Sequence, residues 1–257
     1  MSIHSFFKIR SLMIAILIFL FPMHLSSQET ISTDKEFVFL LHGLGRKKGS
    51  MRTIAAELQK TNRFHVISLQ YPFKEGAIDY QVQNLRAQMA LYLQDTSYKK
   101  YHVVGHSLGG IIGMILWSEI PLERRGRIIT LGSPFEGSPW LQPGLIRAEI
   151  LEPFYGSILT DLLNMPALLR KYSIDLENGT DKMQIAGNTC PWYLNTLGIF
   201  YGERQPHDCF VTTHSALAYA AEKKVLCDLT HEGLLSGHCS LNNITQWLEN
   251  DDPRSDK

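Results

Sequence analysis

Apolar residues return along this chain in two rhythms. Short unbroken runs alternate with longer stretches in which an apolar residue recurs every third or fourth position. The runs are Glu36-Phe37-Val38-Phe39-Leu40-Leu41, Phe64 to Leu69, Tyr101 to Val104, Arg127 to Gly132, Met183 to Gly187 and Lys224 to Leu226. Unbroken runs suit strands buried on both faces of a parallel sheet. Between them, Ser50 to Lys60 sets Met51, Ile54, Ala55 and Leu58 on one helical face, with Ser50 placed as N-cap. Ala77 to Asp95 does the same through Val82, Leu85, Met89 and Leu93; Ile111 to Trp117 and Leu241 to Leu248 supply two more helices. This alternation predicts an α/β protein with a mostly parallel, doubly wound sheet.

The rhythm breaks in two places. From Ser138 to about Tyr172 the chain is proline-punctuated and apolar, through Trp140, Leu141, Leu145, Ile150, Phe154, Ile158, Leu162, Leu163, Leu168 and Leu169. We read it as a helical cap inserted above the carboxyl edge of the sheet, spanning about 138–180, rather than as ordinary core. At the amino end, Lys8 and Arg10 precede an apolar stretch from Leu12 to Phe21, then Pro22 and Ser26-Ser27. That is the order of a secretory signal, and the stretch is short of the ~20 residues that span a bilayer. Residues 1–27 are therefore expected to be a signal peptide, 28–257 a single domain, and the protein periplasmic or secreted.

Removing 1–27 lowers the basic residues from 25 to 23, against 25 acidic ones. Such a balance offers no basic face for nucleic acid. Arg46-Lys47-Lys48 reads as a solvated loop, with contact to anionic lipid headgroups as the alternative. The four cysteines, Cys190, Cys209, Cys227 and Cys239, all lie in the last third of an exported chain. An even number there points to two disulfides, with three connectivities open. No spacing of Cys and His suggests zinc, and no metal or organic cofactor is called for.

The chemistry is carried by Gly105-His106-Ser107-Leu108-Gly109-Gly110. A bare G-x-S-x-G arises by chance in about one chain in ten of this length. Here it follows a β-rich run and opens a helix, which is the setting of a nucleophile elbow. The glycines permit a tight turn that holds Ser107 in a strained backbone conformation, with the Leu108 N–H at a helix N-terminus facing a developing oxyanion. A serine hydroxyl needs an imidazole to take its proton, and the imidazole needs a carboxylate to hold its tautomer. In this topology both follow the serine, acid first.

Four segments, Phe39-Leu40-Leu41-His42-Gly43-Leu44-Gly45-Arg46, Val66 to Pro72, Gly105 to Gly110 and Leu131-Gly132-Ser133-Pro134-Phe135-Glu136-Gly137-Ser138, resemble successive motifs of the bacterial lipase/esterase branch of the α/β-hydrolase superfamily. The resemblance runs from about residue 37 to 138 and resumes near 184, leaving the cap out. It implies an α/β-hydrolase fold, Ser107 as nucleophile, and the N–H groups of Leu44 and Leu108 as oxyanion hole. The family's acid loop is similar to Asp208-Cys209-Phe210-Val211-Thr212-Thr213-His214-Ser215-Ala216, which implies Asp208 as the acid, with Asp228 in reserve. Cys209 stands where the family has glycine, so a disulfide there would tether the loop instead. Thr230-His231-Glu232-Gly233 resembles the family's base loop and implies His231, with His238 as the alternative. His106 is expected to pack inside the elbow and His42 to order the oxyanion loop. The expected substrate is a small-molecule or lipid ester with an apolar acyl group, and contact with a lipid interface is consistent with the cap. The same machinery serves thioesters, amides or acyl transfer, and a silent binding protein is the rival from another class.

Overall fold

A computed structural model describes residues 35–72, 75–138, 157–191 and 205–250. The expected signal peptide lies outside the described residues, as do positions 139–156 of the expected cap. No helix among the described residues is long and apolar enough to cross a membrane.

Six parallel strands form the sheet: β1 (Glu36–Leu41), β2 (Phe64–Leu69), β3 (Tyr101–His106), β4 (Arg125–Leu131), β5 (Lys182–Gly187) and β6 (Lys223–Cys227). Their spatial order is β2-β1-β3-β4-β5-β6. The order reverses at β1, so connections run outward in both directions and place helices on both faces. The unbroken apolar runs have the expected cause. In β1, Phe37, Phe39 and Leu41 enter one core cluster while Val38 and Leu40 enter the other. The edge strand β6 differs: its side chains alternate between exposed and partly buried, with Leu226 half in solvent.

Helices α1 (Arg52–Gln59) and α7 (His238–Glu249) cover one face, and the short α6 (Thr213–Ala216) lies between β5 and β6 in the chain. The other face is covered by α2 (Ile78–Leu93), α3 (Leu108–Ser118), α4 (Ile158–Leu163) and α5 (Met165–Lys171). Ser50 does not cap α1. Residues Lys48–Met51 form a 3-10 turn, Met51 takes the N-cap position, and the Ser50 hydroxyl is buried without a partner. The turn tightens the chain one step before the α-helix begins and so moves the serine inside it.

The described part of the insertion contributes core as well as cover. Ile158, Leu162, Leu168 and Leu169 are buried with Tyr71, Ile78, Val82 and Phe135. Two polar ties fix it to the start of α2. The Asp161 carboxylate accepts the Ile78 N–H at 2.7 Å, capping α2 from outside, and the Asp79 carboxylate accepts the hydroxyl of Tyr172 at 2.5 Å and pairs with Lys171. Leu163 is the large apolar side chain of these two helices that stays well exposed.

Two disulfides form, Cys190–Cys209 and Cys227–Cys239, which selects one of the three connectivities. Both lie at the carboxyl edge of the sheet. The first joins the segment after β5 to the loop carrying Asp208; the second joins the end of β6 to the first turn of α7 and encloses His231.

Candidate active site

The elbow is built from sterics. Ser107 sits between β3 and α3 at φ 54°, a left-handed conformation costly for any residue with a Cβ. Such strain persists only where the surroundings impose it. A Cβ on Gly105 would stand 2.4 Å from the Gly109 carbonyl oxygen, so only hydrogen allows the chain to fold back there. A Cβ on Gly109 would meet the carbonyl oxygens of Leu41 and His42, both at 2.4 Å. The second glycine is therefore required by the end of β1 and not by the turn itself. The Ser107 N–H donates to the Leu131 carbonyl at 2.8 Å, which locks the elbow to β4.

The loop after β1 passes directly against the elbow. A Cβ on Gly43 would lie 2.9 Å from the Ser107 Cβ and 3.0 Å from His106 Nδ1. The Arg46 N–H donates to the Gly43 carbonyl at 3.2 Å, with Gly45 at φ 72° supplying the third position of the turn. Leu44 follows the glycine that lies against Ser107 and Leu108 follows Ser107 itself, and no backbone acceptor among the described residues is recorded for either N–H. His42 is buried and does order this loop. Its Nδ1 donates to the Gly43 carbonyl at 2.9 Å, and its ring stacks on Tyr71 at 4.3 Å. The Tyr71 hydroxyl in turn donates to the His42 carbonyl at 2.5 Å. Burial holds the imidazole below its ordinary pKa, so it is neutral at pH 7.

The expected acid and base, Asp208 and His231, lie on the loops after β5 and β6. His231 Nδ1 donates to Asp208 Oδ2 at 2.7 Å, with both side chains buried. The other carboxylate oxygen, Oδ1, accepts the N–H groups of Phe210 at 3.0 Å and Val211 at 2.8 Å. The His231 N–H donates to the Asp208 carbonyl at 2.9 Å, so the two loops are joined through backbone as well as side chains. With Nδ1 committed to the carboxylate, Nε2 remains for a substrate or nucleophile proton.

Two contacts bring this pair to the elbow. A Cβ on Gly132, one residue beyond the Ser107-bonded Leu131, would lie 2.9 Å from Asp208 Oδ2 and 3.1 Å from His231 Nδ1. His106, next to Ser107, packs its ring at 4.5 Å from that of His231 and donates from Nε2 to the His231 carbonyl at 2.9 Å. Burial, and then the neighbouring His231, hold His106 well below its ordinary pKa. It is a neutral strut beneath His231. Arg46, on the loop after β1, forms an ion pair with Glu232, the residue after His231.

The alternatives stand elsewhere. Asp228 is exposed and accepts from Asn188 Nδ2 at 2.8 Å, and His238 is an exposed residue at the start of α7 whose ring lies beside the Asn242 amide. Neither contacts the Asp208–His231 pair. Tyr71 and Gly132 are site residues the sequence reading passed over, although both fall inside the family-like motifs. No group of His, Cys, Asp and Glu among the described residues has the arrangement of a metal site.

No protein-family model matches this chain, and no curated protein sequence matches it. Solved structures do. A lipase of Bacillus licheniformis, BlEst2 in its mature form, superposes with a TM-score of 0.62 at 18% identity, over 84% of this chain and 92% of that one. The product of gene lin2722 from Listeria innocua gives 0.59 at 16% identity, over 86% and 96%. Phospholipase PlaB from Legionella pneumophila, solved with thio-NAD, gives 0.64 at 16% identity, over 84% of this chain and 59% of that one. At these identities the likeness is one of architecture, and with the parallel six-stranded sheet it gives the chain the α/β-hydrolase fold.

Proposed function

We propose that this chain is an exported serine hydrolase that cleaves carboxylic esters with an apolar acyl group. The observation that carries the reading is the convergence of a strained Ser107 elbow with a buried, hydrogen-bonded His231–Asp208 pair in the chain order serine, acid, base. Ser107 Oγ attacks the ester carbonyl carbon while His231 Nε2 takes its proton. Asp208 holds the imidazole tautomer and stabilises the cation that forms. The N–H groups of Leu44 and Leu108 stabilise the tetrahedral oxyanion. Collapse expels the alcohol, which leaves with the proton from His231, and the acyl group stays on Ser107. Water, deprotonated by His231, then repeats the attack and frees the acid.

An apolar acyl group is supported by Phe210, a half-exposed ring 5.2 Å from the His231 ring, and by the lipolytic names of the structures that share the fold. Export is supported by the apolar segment between Arg10 and Pro22 and by the two disulfides, which belong in an oxidising compartment. The test is a chain-length panel of p-nitrophenyl esters assayed with the purified protein and with Ser107→Ala. We expect a maximum at medium or long chains and a loss of at least about 10⁴-fold in the variant. Hydrolysis that survives the substitution would reject the reading.

A further inference from the structure

The acid loop carries a residue that its own conformation disfavours. The Asp208 N–H donates to the Val211 carbonyl at 3.1 Å, and His207 pairs with Thr212 across an isolated antiparallel bridge, so residues 208–211 form a tight turn. Cys209 is its second position and stands at φ 90°, while Phe210 has negative φ. A positive φ at the second position alone is the pattern of a type II′ turn, in which that position is normally glycine. An unconstrained residue with a Cβ would shift such a turn toward another geometry. This turn cannot shift without cost to the site, because the N–H groups of Phe210 and Val211 are the donors that hold Asp208 Oδ1. Cys209 is buried and bonded to Cys190, three residues beyond β5. The cross-link thus ties the turn to the segment that follows β5.

We propose that the Cys190–Cys209 disulfide is a positioning element for catalysis: it imposes on residue 209 the positive φ that glycine would adopt unaided, and so aligns Asp208 on His231. The inference rests on the triad reading given above. It makes the need for the cross-link conditional on the side chain at 209. If the bond acts by holding φ, glycine at 209 dispenses with it. If the bond acts only by stabilising the chain, glycine does not.

The experiment compares two variants that both lack the cross-link, Cys190→Ser/Cys209→Ser and Cys190→Ser/Cys209→Gly, with the unaltered chain. The readouts are kcat and KM on a soluble short-chain ester and the rate at which a fluorophosphonate modifies Ser107. Labelling of the unaltered chain at Ser107 is established first; its failure would count against the hydrolase reading and not against this one. With labelling in hand, we expect the serine pair to lose about 10- to 100-fold in kcat with KM little changed, as an ångström-scale misplacement does. The glycine pair should return to within about threefold of the unaltered chain. Equal activity of the two pairs, whether high or low, overturns the proposal. Should the serine pair fail to fold, the glycine pair decides alone: near-native labelling supports the proposal, and a deficit above about tenfold, or failure to fold, overturns it.

Discussion

The two halves of the candidate site are held by different means. The Ser107 half, the loop after β1 and the elbow after β3, is fixed by close backbone approach: hydrogens on Gly43, Gly105 and Gly109 leave room for atoms that any Cβ would strike. The Asp208–His231 half, on the loops after β5 and β6, is fixed by covalent cross-links and charge-assisted hydrogen bonds. Each cross-link, closing a separation of 19 or 12 residues, removes about 3 kcal/mol of unfolded-state freedom on the chain-entropy account. The first half lies deep in the sheet, where packing is dense. The second lies at its edge, where β6 is half-exposed and less core is available to impose a loop conformation. Disulfides do at the edge what packing does at the centre.

The difference can be probed from both sides. The largest effect is expected for Asp208→Asn, which leaves the loops in place but removes the carboxylate that fixes the His231 tautomer; kcat should fall about 10⁴-fold. An assay at saturating ester checks this, and a loss below about tenfold would remove Asp208 from the triad. Next comes Gly105→Ala. Its Cβ would lie 2.4 Å from a backbone oxygen, so we expect over 3 kcal/mol of destabilisation, roughly a 10 °C fall in melting temperature, whatever the thiol redox state. Reduction by excess dithiothreitol should act on the other half, lowering ester turnover before any loss of far-ultraviolet helix signal. Unchanged turnover in the fully reduced protein would erase the contrast between the halves.

A smaller effect is expected where the halves meet, at His106. Replacing it with Phe keeps a ring and removes the donor to the His231 carbonyl, and about a tenfold loss in kcat should follow, with Gln restoring most of it. The same substitution has a pH signature. A histidine whose folded pKa is depressed stabilises the fold fully above its unfolded value near 6.5, and that stability is lost as pH falls below it. Urea midpoints should therefore decline from about pH 6.5 downward in the unaltered chain and decline less in His106→Phe.

The smallest effect lies at the opposite, amino edge of the sheet. Burial alone would raise Glu36, but hydrogen bonds and charge from His102 and Arg63 outweigh it and lower the carboxyl from 4.5 to about 2. Its contribution is thus present above pH 4.5 and disappears as pH falls toward 2. Glu36→Gln should cost about 1–3 kcal/mol at pH 7 and almost nothing near pH 2, with turnover unaffected.

What could be read in the sequence follows the same division. The elbow is a local feature: six consecutive residues between a strand run and a helix contain all it needs, and Ser107 stands where they place it. The strands were readable because parallel strands buried on both faces have no alternation to confuse with a helix. Gly132 carries no comparable signal, since the atoms that forbid it a Cβ belong to Asp208 and His231, distant in the chain. The disulfide pairing was not readable either, because the four cysteines pair according to how the segment after β5, the Asp208 loop, β6 and α7 are placed. Ser50 failed as a cap for a local reason, the 3-10 turn that precedes α1. The leucines of α4 and α5 have helical spacing under either reading, cover or core, and their burial with side chains of α2 is a long-range fact that no local pattern carries.

The most direct test of the site is chemical. The full chain is treated with a fluorophosphonate, digested and mapped by mass spectrometry, with Ser107→Ala alongside. We expect one adduct, on the peptide bearing Ser107, absent from the variant. A folded protein that takes no label, or takes it on another serine, would contradict the assignment of Ser107 as nucleophile and the triad built around it.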